Sequence, residues 1–209
     1  GYKGSLWLDF SISRPAGHPA GKMMSACEGA LAFWNNLIAS VEARNHGQEL
    51  VFNQVSPALH GMHSVQDGFT ETASLYINLR LPPGIDLAEA RKLVEGAAEP
   101  VAALTGGQTR LELAEEGYAP AYRAEKNTIL VRSLLKGIRK AGGKPGFTLK
   151  TGTADMNLVA PAWGCPSAAY GPGDSALDHT PDEHIRISEY KAGIEILVHA
   201  IEHIQGIVE

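Results

Sequence analysis

The densest run of chemically capable side chains is Gly171-Pro172-Gly173-Asp174-Ser175-Ala176-Leu177-Asp178-His179-Thr180-Pro181-Asp182-Glu183. Its glycines let the backbone approach a ligand closely and expose N–H groups. His179 is a donor suited to zinc. Asp178, Asp182 or Glu183 could hold its second ring nitrogen or orient the loop. The same composition also suits a polar turn before a helix, where Asp, Thr and Pro are common. A second run, Lys150-Thr151-Gly152-Thr153-Ala154-Asp155-Met156-Asn157, offers hydroxyls and helix-start N–H groups that could hold a carboxylate. It could equally be an ordinary capped helix start.

Other candidates carry weaker signals. His60 and His63 are spaced for a metal only on a helix, and a turn is expected there. His199 and His203 lie four apart, but Ala200, Ile201 and Glu202 between them do not form the HExxH pattern. Cys27 and Cys165 form no CxxC pair and read as two reduced thiols of a cytoplasmic protein.

The whole chain sets outer limits. Its 209 residues carry a net charge of −5 with no basic run, which argues against nucleic acid as a partner. No apolar run approaches a membrane span. The chain opens on Gly1-Tyr2-Lys3-Gly4-Ser5, without Met and without a signal-peptide pattern, which suggests an internal start; a processed or tagged chain would look the same.

The elements that must position these residues follow from periodicity. Leu6, Leu8, Phe10 and Ile12 alternate as on a strand. Arg14 to Pro19 breaks the pattern. Cys27, Ala30, Leu31, Trp34, Leu37, Ile38 and Val41 then follow helical spacing, stopped at Asn45-His46-Gly47. Leu50 to Leu59 reads as a strand and Gly61 to Gly68 as a turn. Ala73, Leu75, Ile77, Leu79 and Leu81 alternate, which puts Ser74, Tyr76, Asn78 and Arg80 on the opposite face. Asp86 is placed to cap a helix with Leu87, Ala90, Val94, Ala97, Val101 and Leu104 facing the core. Thr109, Leu111 and Leu113 make a fourth strand.

The order βαββαβ predicts a ferredoxin-like unit over residues 1–116, one sheet with two helices on one face. In the remainder, 117–209, a helix is expected over Glu125 to Lys140, and short strands at Phe147 to Lys150 and Ser167 to Tyr170. A last helix is expected to be capped by Ser188, with Tyr190, Ile194, Leu197, Val198, Ile201 and Ile204 buried. This second region looks under-filled for a domain of its own and suggests part of a larger α/β sheet.

Thr151 to Asn157, followed by Tyr170 to Ser175 and Leu177 to Glu183, resembles the dizinc aminoacylase and carboxypeptidase family. That family includes acetylornithine deacetylase and succinyl-diaminopimelate desuccinylase. The likeness leans toward the branch that releases lysine from an amino-group carrier protein or from N-acetyl-lysine, and it covers essentially the whole chain. It implies that residues 1–116 are the lid and dimerisation domain, and that 117–209 are the C-terminal part of an α/β zinc-hydrolase catalytic domain. It implies a homodimer, two zinc ions (cobalt being an alternative), and a small N-acyl amino acid or acylated carrier protein as substrate.

By the same resemblance, His179 stands where the family has its C-terminal zinc ligand. His18, in Ala16-Gly17-His18-Pro19-Ala20, stands where a histidine reaches the partner subunit's active site to stabilise an oxyanion. Arg80, in Asn78-Leu79-Arg80-Leu81-Pro82-Pro83-Gly84, matches a lid arginine that binds the substrate carboxylate, a task suited to a guanidinium fork. Gly152 and Thr153 match a loop lining the substrate pocket. The family's HxD ligand pair and Glu-Glu pair have no counterpart here. This chain alone is therefore expected to be inactive. The alternative reading is a non-catalytic dimerisation or binding module with a degenerate metal site.

Overall fold

The computed structural model describes residues 1–18 and 21–208. The chain divides into two compact units: residues 1–123 with 149–157, and residues 124–148 with 158–209.

The first unit is built on four antiparallel strands: β1 (Gly4–Pro15), β2 (Ser56–Asp67), β3 (Thr70–Leu81) and β4 (Gln108–Leu113). Their order across the sheet is β2-β3-β1-β4. Two helices, α1 (Ala26–Asn45) and α2 (Leu87–Thr105), follow β1 and β3. This is the expected ferredoxin-like arrangement. Leu6, Leu8, Phe10 and Ile12 of β1, together with Ala73, Leu75, Ile77, Leu79 and Leu81 of β3, are buried against Ala30, Phe33 and Leu37 of α1 and Ala90, Val94 and Val101 of α2. The Phe10 and Phe33 rings stack at 3.9 Å. Both helices start on side-chain caps: Ser25 accepts from the Glu28 N–H in a reciprocal capping box, and Asp86 accepts from the Glu89 N–H.

The structure corrects several local expectations. Gly61 to Gly68 is not a turn: β2 runs through to Asp67, and the reversal occupies Gly68 and Phe69. β2 is an edge strand exposed over most of its length, so no buried face imprinted an apolar alternation on it. His60 and His63 therefore lie on a strand, and the register slips between Leu59 and Gly61 in a bulge at His60. The segment before β2 is a short 3₁₀ turn, Val51–Asn53, rather than strand. α1 buries Ala26, Gly29, Ala30, Phe33, Leu37 and Val41, whereas Cys27 and Leu31 are exposed. Its buried stripe is rotated by about one residue from the expected one.

The second unit contains α3 (Ile129–Lys140), most of α4 (Met156–Trp163) and α5 (Ile187–Val208). α3 begins at a Thr128 cap, later than the expected Glu125. Neither short strand forms among the described residues: Lys150 makes a single bridge to Tyr2, and Ser167 to Tyr170 is irregular. α5 begins at Ile187, so Ser188 lies inside it. α5 turns Gly193, Ile196 and Ala200 inward. The expected face, with Tyr190, Ile194, Leu197, Val198 and Ile201, stays exposed. α3 and α5 meet closely. A Cβ on Gly137 would lie 2.7 Å from the Ile196 carbonyl, and Ser133 Oγ lies 2.9 Å from His203 Nδ1.

Candidate functional site

The non-helical face of the sheet carries the odd-numbered residues of β1 and the even-numbered residues of β3. At one end of that face Ser5 and Ser56 sit directly opposite Arg80, on either side of it. Asn78 is buried and donates to Ser5 Oγ at 2.9 Å and to the Leu6 carbonyl at 3.3 Å. Lys3 extends the same alternation back from Ser5 and is fully buried. Its ammonium donates to the Val51 carbonyl at 3.0 Å and to Ser56 Oγ at 2.8 Å.

The segment 149–157 belongs to this unit although it is far away in sequence. It is stitched to Lys3. The Lys3 N–H donates to the carbonyls of Gly152 (3.0 Å) and Lys150 (3.3 Å). The Lys3 carbonyl accepts from Thr153 Oγ1 (2.9 Å) and Asn157 Nδ2 (3.1 Å). Asn157 is buried and also donates to the Pro120 carbonyl. Gly4 is required beside this junction, because a Cβ there would lie 2.6 Å from the Ala119 carbonyl. Thr153 Oγ1 in turn accepts from Arg80 Nη1 at 2.8 Å. One hydroxyl thus ties the guanidinium to the start of β1.

The electrostatics are one-sided. Burial holds the Arg80 pKa below its ordinary value. Burial, and secondarily the charge of Arg80, hold Lys3 down to about 8. Among the described residues neither cation has a carboxylate partner. Buried charges are ordinarily paired. This place can therefore receive an anion, with a planar fork, a positive field and hydrogen-bonding neighbours already in place. The structure brings together Arg80, Thr153 and Gly152. The sequence reading missed Lys3, Asn157 and the two serines. The β1 alternation, continued back past Ser5, was the signal that would have found Lys3.

His18 lies in the exposed loop after β1, where its carbonyl accepts from the Gly21 N–H at 2.7 Å. Pro19 and Ala20 of its motif lie outside the described residues. Along the same sheet face, the Trp7 ring stacks on Tyr76 and meets His60 edge-on, each at 4.7 Å.

The His179 loop, in the second unit, is a chain of tight turns. Ala176 N–H donates to Asp174 Oδ1, Leu177 N–H to the Asp174 carbonyl, and Thr180 N–H to the Leu177 carbonyl. Glu183 accepts from the backbone N–H of His179 at 2.9 Å, so it orients the loop through the main chain. His179 is exposed and has φ of 63°, the one non-glycine left-handed residue among those described. Such a conformation is uncommon and gathers at functional sites. Gly171, Pro172 and Gly173, with Asp174, His184, Arg186, Glu189 and Gly193, line an open cavity of about 590 Å³ against the start of α5. Zinc requires three or four protein donors. His179 is one, and among the described residues no group of three or more His, Cys, Asp or Glu lies together. These residues do not by themselves build a zinc site. No helix among the described residues is long and apolar enough to cross a membrane.

Comparison with known proteins adds a lineage to this geometry. The chain is 36% identical to a LysW-lysine hydrolase of Deinococcus radiodurans, over 99% of this chain and 56% of that protein. It is 28% identical to a LysW-lysine/LysW-ornithine hydrolase of Sulfurisphaera tokodaii, over 62% of this chain and 37% of that one. The chain thus spans about half the length, or less, of these curated relatives. Its fold is that of the aminopeptidase PepT from Bacillus cereus (TM-score 0.72, 18% identity, 98% of this chain and 52% of that one). It is also that of an M20 family metallo-carboxypeptidase from Sulfolobus solfataricus (TM-score 0.67, 16% identity, 97% of this chain and 58% of that one). The profile of Peptidase family M20/M25/M40 matches residues 14–203, most of both units, and the chain belongs to that family.

Proposed function

We propose that this chain supplies the lid (residues 1–116) and the C-terminal catalytic part (117–209) of a metal-dependent amide hydrolase. Its substrate would be an N-acyl amino acid of lysine or ornithine type, either free or attached to a carrier protein. The observation that carries this reading is the Arg80 cradle, a half-buried guanidinium fixed by Thr153 and, among the described residues, without a carboxylate of its own. In this reading Arg80, Thr153 and Gly152 hold the free carboxylate of the amino acid. His18 serves the partner subunit's active site in a cytoplasmic homodimer joined through residues 1–116. His179 is one ligand of a two-zinc centre, with cobalt as the alternative metal, and the other donors come from residues beyond these 209. The names of the relatives support the lysine or ornithine class. The exposed apolar stripe of α5 supports a catalytic part that is completed by further chain.

The test is binding of Nα-acetyl-lysine and of its C-terminal amide, followed by calorimetry. The acid binds and the amide does not. Arg80→Met weakens the acid by about tenfold or more, the scale of a lost charge-assisted hydrogen bond. Equal binding of acid and amide removes the carboxylate reading. Zinc content and turnover of the 209 residues are measured beside it. Tight stoichiometric zinc with turnover would sink the assignment of the missing ligands to other residues.

A further inference from the structure

Lys3 has no role in the reading above, yet it is the most conspicuous charge in the molecule. It is fully buried, the one Lys, Arg, Asp or Glu among the described residues in that class. An ammonium so placed is normally matched by a carboxylate. Among the described residues its acceptors are neutral, the Val51 carbonyl and Ser56 Oγ. Ser56 is the residue directly opposite Arg80 across β2 and β3. Thr153 connects the two cations from the other side, accepting from Arg80 and donating to the Lys3 carbonyl. Among the described residues, two like charges are therefore held at one end of one sheet face by neutral groups, an arrangement that costs stability until an anion arrives.

The ionisable groups on the elements around Lys3 are Arg80, Tyr76 and Glu71 on β3, Asp9 and Arg14 on β1, His60, His63 and Asp67 on β2, Tyr2 and Tyr122 in the bridged pair before β1, and Lys150 and Asp155 on the 149–157 segment. Arg80 is the one whose charge acts on Lys3.

We propose that Lys3 is the second cation of the Arg80 carboxylate cradle. It does not touch the ligand; it is a positioning charge beneath Arg80 that shares in neutralising a carboxylate bound there. The inference rests on the reading of Arg80 as the carboxylate-binding residue. It has a direct consequence. A bound carboxylate holds the Lys3 proton more firmly, so binding and protonation are linked. Since Lys3 is held down to about 8 without a ligand, carboxylate affinity falls as pH rises through that value.

The probe is Nα,Nε-diacetyl-lysine, whose single ionisable group is its carboxylate. Its affinity for the full 209-residue chain is measured from pH 6.5 to 9.5. The wild type weakens by about threefold to tenfold across the range, tenfold corresponding to one unit of pKa coupling. Lys3→Met binds more weakly at pH 7 and has a flat profile. Lys3→Arg, which keeps the charge, restores the affinity and also has a flat profile. A wild-type slope retained in Lys3→Met overturns the proposal. So does a flat wild-type profile, with the Arg80 reading left standing. If Arg80→Met binds as tightly as wild type, or if the wild type does not bind at all, the Arg80 reading fails and this inference falls with it. Should Lys3→Met not fold, the wild-type Lys3 ¹³Cε resonance is titrated with and without the probe. An upward move of its pKa supports the proposal, and no move overturns it.

Discussion

The two units of the chain bury their apolar residues to very different degrees. In the first, every inward apolar side chain of β1 and β3, from Leu6 to Ile12 and from Ala73 to Leu81, is at most 1% exposed. In the second, Ile194, Leu197, Val198 and Ile201 of α5 remain 44–55% exposed, and α5 hides chiefly Gly193, Ile196 and Ala200. Both regions have strong apolar periodicity. Only the first satisfies it within this chain. A periodic stripe reports which face wants burial, not whether the 209 residues provide it.

The difference predicts a gradient of mutational cost. The largest effect belongs to Phe33→Ala in the first unit, which removes a ring stacked on Phe10. It should cost about 3–5 kcal/mol in urea unfolding. A cost below about 1 kcal/mol would mean the core is not packed as described. Next comes the one tight place in the second unit, the α3–α5 crossing at Gly137. Gly137→Ala forces a methyl toward the Ile196 carbonyl and should cost about 1–3 kcal/mol. Hydrogen exchange should accelerate in α3 and α5 and not in β1 to β4. Equal acceleration in the strands would show that the two units unfold as one.

The sequence revealed the elements that are buried on one face and misread those that are not, in both units. β1, β3 and α2 are each buried on one face, and burial imprints a period of two or of 3.6. β2 lies at the sheet edge, exposed over most of its length, so its stretch from Gly61 to Asp67 carries no imprint and reads as part of a turn. Lys150 and Ser167 to Tyr170 have no ladder to join among the described residues, so their short apolar runs stayed irregular. At the site, Arg80 and Thr153 were both picked out, but their 2.8 Å hydrogen bond joins positions 73 residues apart, which periodicity alone does not reveal. Lys3 was legible in principle, as the next odd position before Ser5. An isolated lysine in a sequence ordinarily reads as solvated.

The buried lysine also sharpens the comparison, because it places an uncompensated charge in the better-packed unit. Its folded-state pKa, about 8, lies below the ordinary value of 10.5. Between these values the unfolded chain binds more protons than the folded one, so the contribution of Lys3 to stability rises with pH. Below about pH 8 the buried charge is destabilising in full; by pH 10.5 the penalty is relieved, by about 1–3 kcal/mol. Other groups titrate in the same window, so the measured quantity is wild type minus Lys3→Met, by urea unfolding at pH 7.5 and at 10. That difference should move in favour of the wild type as pH rises. Movement the other way would mean Lys3 has a counter-charge after all.

The smallest effect is expected on α5. Leu197→Ser and Val198→Ser remove apolar surface that is already about half in water. In this chain each should change stability by no more than about 0.5 kcal/mol, as for surface substitutions away from special features. In a longer protein containing these residues, a stripe covered by further chain would make the same changes cost about 2–4 kcal/mol, the scale of a buried aliphatic side chain. Equal, small costs in both contexts would break the contrast. The stripe would then be surface in the complete protein as well, and the catalytic part would have to be completed through some other face.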